Sequence, residues 1–74
     1  MTAITLKRVD QQRNMSRFYK LDVQPTLLGG WSLIRGWGRI GRVGTVRIEA
    51  HPTRGLADMA LIAAWARKRG RGYR

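Results

Sequence analysis

Apolar and polar residues alternate along much of the first fifty positions of this sequence, which is the pattern of half-buried β-strands. The alternation is weak over residues 3–9 and clear over residues 16–25. In the second segment Tyr19, Leu21 and Val23 share one face of the strand, and polar residues take the other face. The pattern therefore predicts two strands, of which the second buries one face.

Two further strands are expected after a Gly-Gly turn. Residues 31–39 are apolar on both faces, which favours a central position in a sheet, and the glycine-rich segment 41–44 is typical of a hairpin turn. Residues 45–51 form the fourth strand. We expect its inward face to hold the alternate apolar positions Val46, Ile48 and Ala50.

A helix is predicted after Pro52, with Thr53 as its N-cap, Asp58 near the positive end of its dipole and its end before Gly70. The stripe that would pack on the sheet is Ala57, Leu61, Ala64 and Trp65. We also expect Trp31 to lie in the core. The predicted architecture is one α+β domain over residues 1–74, a small antiparallel sheet of about four strands with one C-terminal helix.

Charge gives the first indication of function. The 74 residues include 15 Lys or Arg against 4 Asp or Glu, for a formal net charge of +11. Arginine, whose planar fork suits phosphate, supplies most of these cations, so the composition indicates a polyanionic partner, most often nucleic acid. The alternative is that the charge is merely solvated.

Few residues are available for catalysis or metal binding. The chain has one histidine and no cysteine, and it is too short to shape a pocket around a catalytic triad. Glu49 and His51 share a strand face, but most metal sites need three or four ligands, so we interpret them as polar residues at a strand edge. We expect no enzymatic activity, cofactor, metal ion or small-molecule substrate.

Nothing in the chain predicts a membrane span, because the longest apolar run, residues 59–66, is far shorter than the ~20 residues that a spanning helix needs. A cytoplasmic location is expected, associated with the nucleoid if the protein is bacterial. Residues 36–41 match G-x-G-x-x-G, yet strand-forming sequence lies on both sides, which argues against a dinucleotide or kinase loop. The same turn would expose backbone N–H groups to a phosphate beside Arg39 and Arg42.

Several short segments of the chain form an ordered pattern. They are Phe18-Tyr19-Lys20-Leu21, Trp37-Gly38-Arg39, Gly44-Thr45, Pro52-Thr53 and the closing run Lys68-Arg69-Gly70-Arg71-Gly72-Tyr73. Over about residues 15–74 this pattern resembles the WGR domain, whose motif is the Trp-Gly-Arg tripeptide. The resemblance implies a small antiparallel sheet with a helix, as in DNA-dependent poly(ADP-ribose) polymerases and short bacterial proteins. It also implies that Trp37 packs on a nucleotide sugar at a DNA end, with Arg39 at the same interface and Lys68 near the backbone. The resemblance covers no catalytic domain, so no catalysis is expected from it.

Together these observations predict a non-enzymatic module that binds DNA through phosphates, at ends or nicks, with little sequence specificity. RNA is an alternative polyanion. The expected contact residues are Trp37, Gly38, Arg39, Arg42, Lys68, Arg69, Arg71 and Arg74.

The outer helix face is unusually apolar and leaves a second function open. Its residues are Leu56, Met59, Ile62 and Ala63. This face could form a homodimer, pack under the loop that carries Leu27 and Leu28, or lie on a membrane surface. The alternative function is therefore a protein–protein module that docks an acidic partner, homodimerises, or does both.

Overall fold

A computed structural model describes residues 2–74 as a four-stranded antiparallel sheet followed by one helix. The strands are β1 (Thr2–Asp10), β2 (Met15–Pro25), β3 (Trp31–Arg39) and β4 (Thr45–His51), and the helix is α1 (Arg54–Gly70). The strands lie in chain order across the sheet, so each pairs with its sequence neighbour. The predicted α+β class is confirmed, and β3 and β4 have the predicted ends.

The core lies between α1 and one face of the sheet. Cross-strand register places Ile4 opposite Leu21 and Val23 opposite Leu33, so these side chains share the face that the helix covers. The buried hydrophobic residues are Leu6, Tyr19, Leu21, Val23, Leu33, Ala57, Leu61, Ala64 and Tyr73. The helix contributes mainly alanines, and their small side chains let its axis approach the sheet closely.

The inward face predicted for β4 is wrong. Val46 and Ile48 are 60% and 66% exposed, and Ala50 is exposed as well. Glu49 lies opposite Leu33 in the register, so it is Glu49 that faces the helix side of the sheet. The physical reason is that β4 is an outer strand that α1 covers poorly. Its inward positions remain half solvated and accept charged side chains.

Both ends of α1 have identifiable caps. The Thr53 hydroxyl accepts a hydrogen bond from the Leu56 N–H at 3.2 Å, which confirms the predicted N-cap. Asp58 lies beyond the first turn, where the dipole effect is weak, and it pairs with Arg54 at 3.6 Å. At the other end the helix includes Gly70, and the glycine with positive φ is Gly72, at 94°. The predicted end before Gly70 was therefore too early.

Trp65 does not join the core, contrary to the sequence interpretation. Its side chain is 36% exposed. Eight residues along a helix amount to a rotation of about 80° from Ala57, which places Trp65 at the margin of the buried stripe. Trp31, by contrast, is half-buried and packs against the core, with the Arg54 guanidinium 5.4 Å from its ring centroid.

The last residues return to the sheet. The Lys68 carbonyl accepts hydrogen bonds from the Arg71 and Tyr73 N–H groups, both at 3.0 Å. Arg74 then exchanges two backbone hydrogen bonds of 2.8 Å with Lys7 on β1. These bonds bury Tyr73 and fix the end of α1 over β2.

The loop of residues 26–30 does not cover the outer face of α1. Leu27 and Leu28 are fully exposed, at 105% and 99%. Leu56, Met59 and Ile62 are also exposed, so the interpretation that the loop packs on this face is wrong. Among the described residues, no helix is long and apolar enough to cross a membrane.

Candidate nucleic-acid interface

A cationic cleft of about 220 Å³ lies where the C-terminal end of α1 crosses the sheet. Its walls come from β2, β3, β4 and α1. The lining residues are Tyr19, Arg35, Trp37, Arg47, Arg67, Lys68 and Arg71. Five of these seven are cations, and none is acidic.

Cross-strand register assembles the sheet side of the cleft. Tyr19 lies directly opposite Trp37, and Arg35 lies directly opposite Arg47. Arg35 and Trp37 are two residues apart on β3, so their side chains point to the same face. Two aromatic rings and two guanidinium groups therefore share a small area of the sheet.

The two aromatic rings of the cleft meet edge to face. The ring centroids of Tyr19 and Trp37 are 6.2 Å apart, and the rings are inclined by 62°. Tyr19 is buried, whereas Trp37 keeps 37% of its surface exposed. Packing on one side fixes the indole, while its free surface remains available for a stacking partner.

Close packing requires glycine at the middle position of the Trp37-Gly38-Arg39 motif. A Cβ on Gly38 would lie 2.8 Å from the Gly44 Cα across the hairpin and 3.5 Å from the ring of Phe18. Gly44 itself has φ of 75°, and a Cβ there would overlap the Trp37 carbonyl oxygen. Both glycines thus allow the close approach of β3 to the hairpin that holds Trp37 in place.

Lys68 lies among aromatic rings and other cations. Its Nζ is 4.6 Å from the ring centroid of Tyr19 and 5.4 Å from that of Tyr73, both suitable for cation–π attraction. Burial lowers the pKa of Lys68 below its usual value, and the charges of Arg71, Arg67 and Arg35 lower it further. A bound anion would reverse this effect, because it favours the charged ammonium.

Glu49 neutralises part of the cleft from the β4 side. Its carboxylate lies 2.8 Å from an Arg35 nitrogen and 3.5 Å from His51 Nε2. The Arg35 Nε is buried and has no hydrogen-bond partner among the described residues. With Arg35 paired, Arg47, Arg67, Lys68 and Arg71 remain to meet a ligand. Glu49 and His51 are two potential ligands, and within residues 2–74 no group of three or more His, Cys, Asp or Glu side chains is placed to hold a metal ion.

The predicted contact residues do not all lie in one place. Trp37, Lys68 and Arg71 line the cleft together. Gly38 supports the cleft through the hairpin. Arg39 instead lies at the end of β3, in a separate depression with Arg13 and Arg17.

The other three predicted cations lie on different surfaces. Arg42 lines a groove on the opposite face of the sheet. The Arg69 guanidinium lies 5.4 Å from the ring centroid of Trp65, at the outer margin of α1. Arg74 lies beside Lys7 and Arg8 at the β1 edge. Their contribution to binding stays a prediction.

Four residues of the cleft are not among the expected contact residues: Tyr19, Arg35, Arg47 and Arg67. Arg35 could have been predicted from the two-residue period of β3, which puts it on the same face as Trp37. Arg47 could be found only once the β3–β4 register was known. Arg67 belongs to the basic end of the helix and precedes the motif-like closing run.

Comparison with protein families identifies the domain. The model of the WGR domain matches residues 2–74, and so includes β1 as well as the segments resembling the family. This chain belongs to the WGR domain family. The WGR domain is a non-catalytic domain of nucleic-acid-binding type that occurs in proteins like the poly(ADP-ribose) polymerases.

One relative of this WGR domain is a longer protein from Sinorhizobium fredii (strain NBRC 101917 / NGR234), the uncharacterized protein y4dW. The two sequences are 36% identical over 69 residues, which cover 93% of this chain and 34% of the relative. The chain thus spans about a third of the length of that relative. No solved structure matches this chain significantly.

Proposed function

We propose that this WGR domain binds DNA without catalysis, through the cleft between the end of α1 and the sheet. The observation that supports this most is the convergence of five cations around the partly exposed ring of Trp37. Arginine forks pair with phosphate oxygens, and an exposed indole stacks on a sugar or base. The cleft offers both kinds of contact within one small volume.

We propose that the domain binds DNA with little sequence specificity. One side of α1 packs on the sheet, and the helix reaches the cleft with its C-terminal end, so it does not present a side to the bases there. Phosphate contacts fix position without reading bases. We therefore propose that DNA ends or nicks, where a sugar or base is accessible to Trp37, are preferred over continuous duplex.

Salt dependence of binding tests the electrostatic part of this proposal. Arg47, Arg67, Lys68 and Arg71 together would neutralise about four phosphates, which gives a slope of log K against log salt near −3.6. Cations outside the cleft, such as Arg39 and Arg42, would steepen the slope to about −4 to −5. Fluorescence anisotropy of an end-labelled duplex at several salt concentrations measures it. A flat response would contradict the proposal.

A competition experiment tests the preferred nucleic acid. The labelled end-containing duplex is displaced by unlabelled nicked duplex, closed circular duplex, single strand and an RNA duplex of matched sequence. We expect ends and nicks to compete best. Equal competition by closed circles would leave Trp37 without an end-specific role, and stronger competition by RNA would change the proposed ligand.

A second candidate function is homodimerisation through the outer face of α1. Leu56, Met59 and Ile62 are 46%, 67% and 59% exposed, and within residues 2–74 nothing covers them. Between Arg54 and Arg67 this part of the helix carries no cation, so two copies of a strongly basic chain repel each other least here. Sedimentation velocity over a range of concentrations tests this function. A species of 8.5 kDa at every concentration would contradict it.

A further inference from the structure

The sheet face opposite α1 exposes apolar side chains that the nucleic-acid cleft does not use. Within the described residues no helix or loop covers this face. Val46 and Ile48 of β4 are 60% and 66% exposed, and Phe18 and Ile34 beside them are half-buried. Exposed apolar groups that share one sheet face are typical of a binding surface.

A groove of about 370 Å³ runs across this face beside the β3–β4 hairpin. Phe18, Val43 and Val46 give it apolar walls, and Gly36 contributes a floor without a side chain. A Cβ on Gly36 would make ordinary contacts, at 3.9 Å, with the Lys20 Cβ and a Val46 methyl group. The floor is therefore deep enough to receive a small apolar group.

The charged residues that line the groove all have the same sign. Lys7, Lys20 and Arg42 line it, and none of its lining residues is acidic. The Lys20 ammonium lies 5.5 Å from the centroid of the Phe18 ring, so cationic and apolar surfaces are adjacent. A complementary ligand carries negative charges next to apolar side chains.

We infer that this groove docks an acidic segment of a partner protein that presents apolar side chains toward Val46 and Phe18. Nucleic acid fits less well, because phosphates gain nothing from the exposed aliphatic groups of Val43 and Val46. A second copy of the chain fits less well too, because its charge of +11 opposes approach to a cationic groove.

The geometry of β4 indicates how far apart the apolar side chains of the ligand should lie. Val46 and Ile48 are two residues apart on one strand, so their side chains lie about 7 Å from each other. Successive side chains of an extended peptide point to opposite sides. A peptide that lies edge-on over Gly36, along the strands, therefore turns its apolar residues toward β4 and the acidic residues between them toward Lys7 and Lys20.

The groove and the cleft lie on opposite faces of the sheet. Trp37 and Lys68 lie on the helix face, whereas Lys20 and Val46 lie on the open face. A partner protein in the groove therefore leaves the cleft free. This inference does not depend on the proposed binding of DNA, and the two are tested separately.

Binding of a synthetic peptide tests the inference. The probe is a fluorescein-labelled peptide in which Glu alternates with Leu, and the controls replace Leu by Ser or Glu by Gln. We expect each control to bind at least about tenfold more weakly than the probe, since each removes one of the two complementary features. Absence of probe binding, or equal binding of the Glu–Ser peptide, would overturn the inference.

Variants then locate the site. Val46→Ser and Lys20→Gln should each weaken probe binding by about tenfold, whereas Met59→Ser, at a similarly exposed apolar position on α1, should leave it unchanged. If Val46→Ser and Lys20→Gln both bind the probe like the unsubstituted protein, the groove is not its site.

Amide chemical shifts of the unsubstituted protein give a second measurement that requires no variant. Addition of the probe should shift the amides of Lys20, Gly36 and Val46, and addition of duplex DNA should shift the Trp37 indole N–H. DNA that shifts the groove amides instead would overturn the assignment of the groove to a protein partner. Failure of DNA to bind anywhere would contradict the proposed function and leave the peptide result standing.

Discussion

Replacement of Trp37 by alanine is the sharpest test of the cleft, because the chain provides a matched control. Trp37 is 37% exposed and Trp65 is 36% exposed, but Trp65 lies outside the cleft at the margin of α1. A base or sugar stacked on an aromatic ring contributes about 1–3 kcal/mol. Trp37→Ala should therefore weaken DNA binding by about 5- to 150-fold, whereas Trp65→Ala should change it by less than about twofold.

Both substitutions also lower the stability of the fold, so the two effects must be separated. Replacing a fully buried tryptophan by alanine costs about 3–5 kcal/mol, and these residues are roughly two-thirds buried, which gives about 2–3 kcal/mol. Trp37→Ala in addition loses the edge contact with Tyr19, a further ~0.5–1.5 kcal/mol. For a domain of this size the expected decrease in Tm is roughly 10–20 °C.

The measurement is therefore made at low temperature, where circular dichroism shows that each variant is folded. Anisotropy of an end-labelled duplex at one fixed salt concentration gives the affinities. Trp37→Phe should recover part of the loss, because a smaller ring still stacks. The reasoning is refuted if Trp37→Ala binds like the unsubstituted protein, or if Trp65→Ala loses as much affinity as Trp37→Ala.

Lys68, Gly38 and Glu49 provide three further tests. The lowered pKa of Lys68 means that its ammonium deprotonates as the pH rises toward 10.5, so DNA affinity should fall over this range in the unsubstituted protein and less in Lys68→Arg; coincident anisotropy–pH profiles would contradict this. Gly38→Ala should destabilise the fold by about 1–3 kcal/mol in thermal unfolding, whereas Gly36→Ala, which meets no close contact, should be nearly neutral. Glu49→Gln frees Arg35 to meet DNA, so the slope of log K against log salt should steepen by about 0.9; an unchanged slope would exclude Arg35 as a phosphate ligand.

The strands and the helix could be predicted from the sequence because their signals are local. Alternation in β2 identified Tyr19, Leu21 and Val23 as one face, and all three are buried. Glycines and Pro52 marked the turns. The face of β4 could not be predicted in the same way. Its alternate apolar residues lie on the open sheet face, because α1 is too narrow to cover β4. The extent of that cover cannot be read from the residues of β4 themselves.

The cleft was only partly predictable for a related reason. Trp37, Lys68 and Arg71 belong to short motifs that are visible along the chain. Tyr19 and Arg47 reach the same cleft from other strands, through pairings that depend on the register of the whole sheet. Residues adjacent in the sequence can also diverge, and Arg69 follows Lys68 yet points to Trp65, because successive helical residues are separated by about 100°.

Two features of the fold help the cations of the cleft to coexist before any ligand binds. Arg67 and Lys68 lie in the last turn of α1, where the carbonyl end of the helix dipole favours positive charge, and Glu49 compensates Arg35. The compensation is incomplete, because burial and the neighbouring arginines still lower the pKa of Lys68. Burial of Lys68 and its repulsion by the neighbouring arginines therefore reduce the stability of the free domain while the ammonium is charged. This loss of stability disappears as the pH rises from the lowered pKa toward 10.5. A polyanion in the cleft relieves the same repulsion at neutral pH, so DNA binding and folding stability are linked through Lys68.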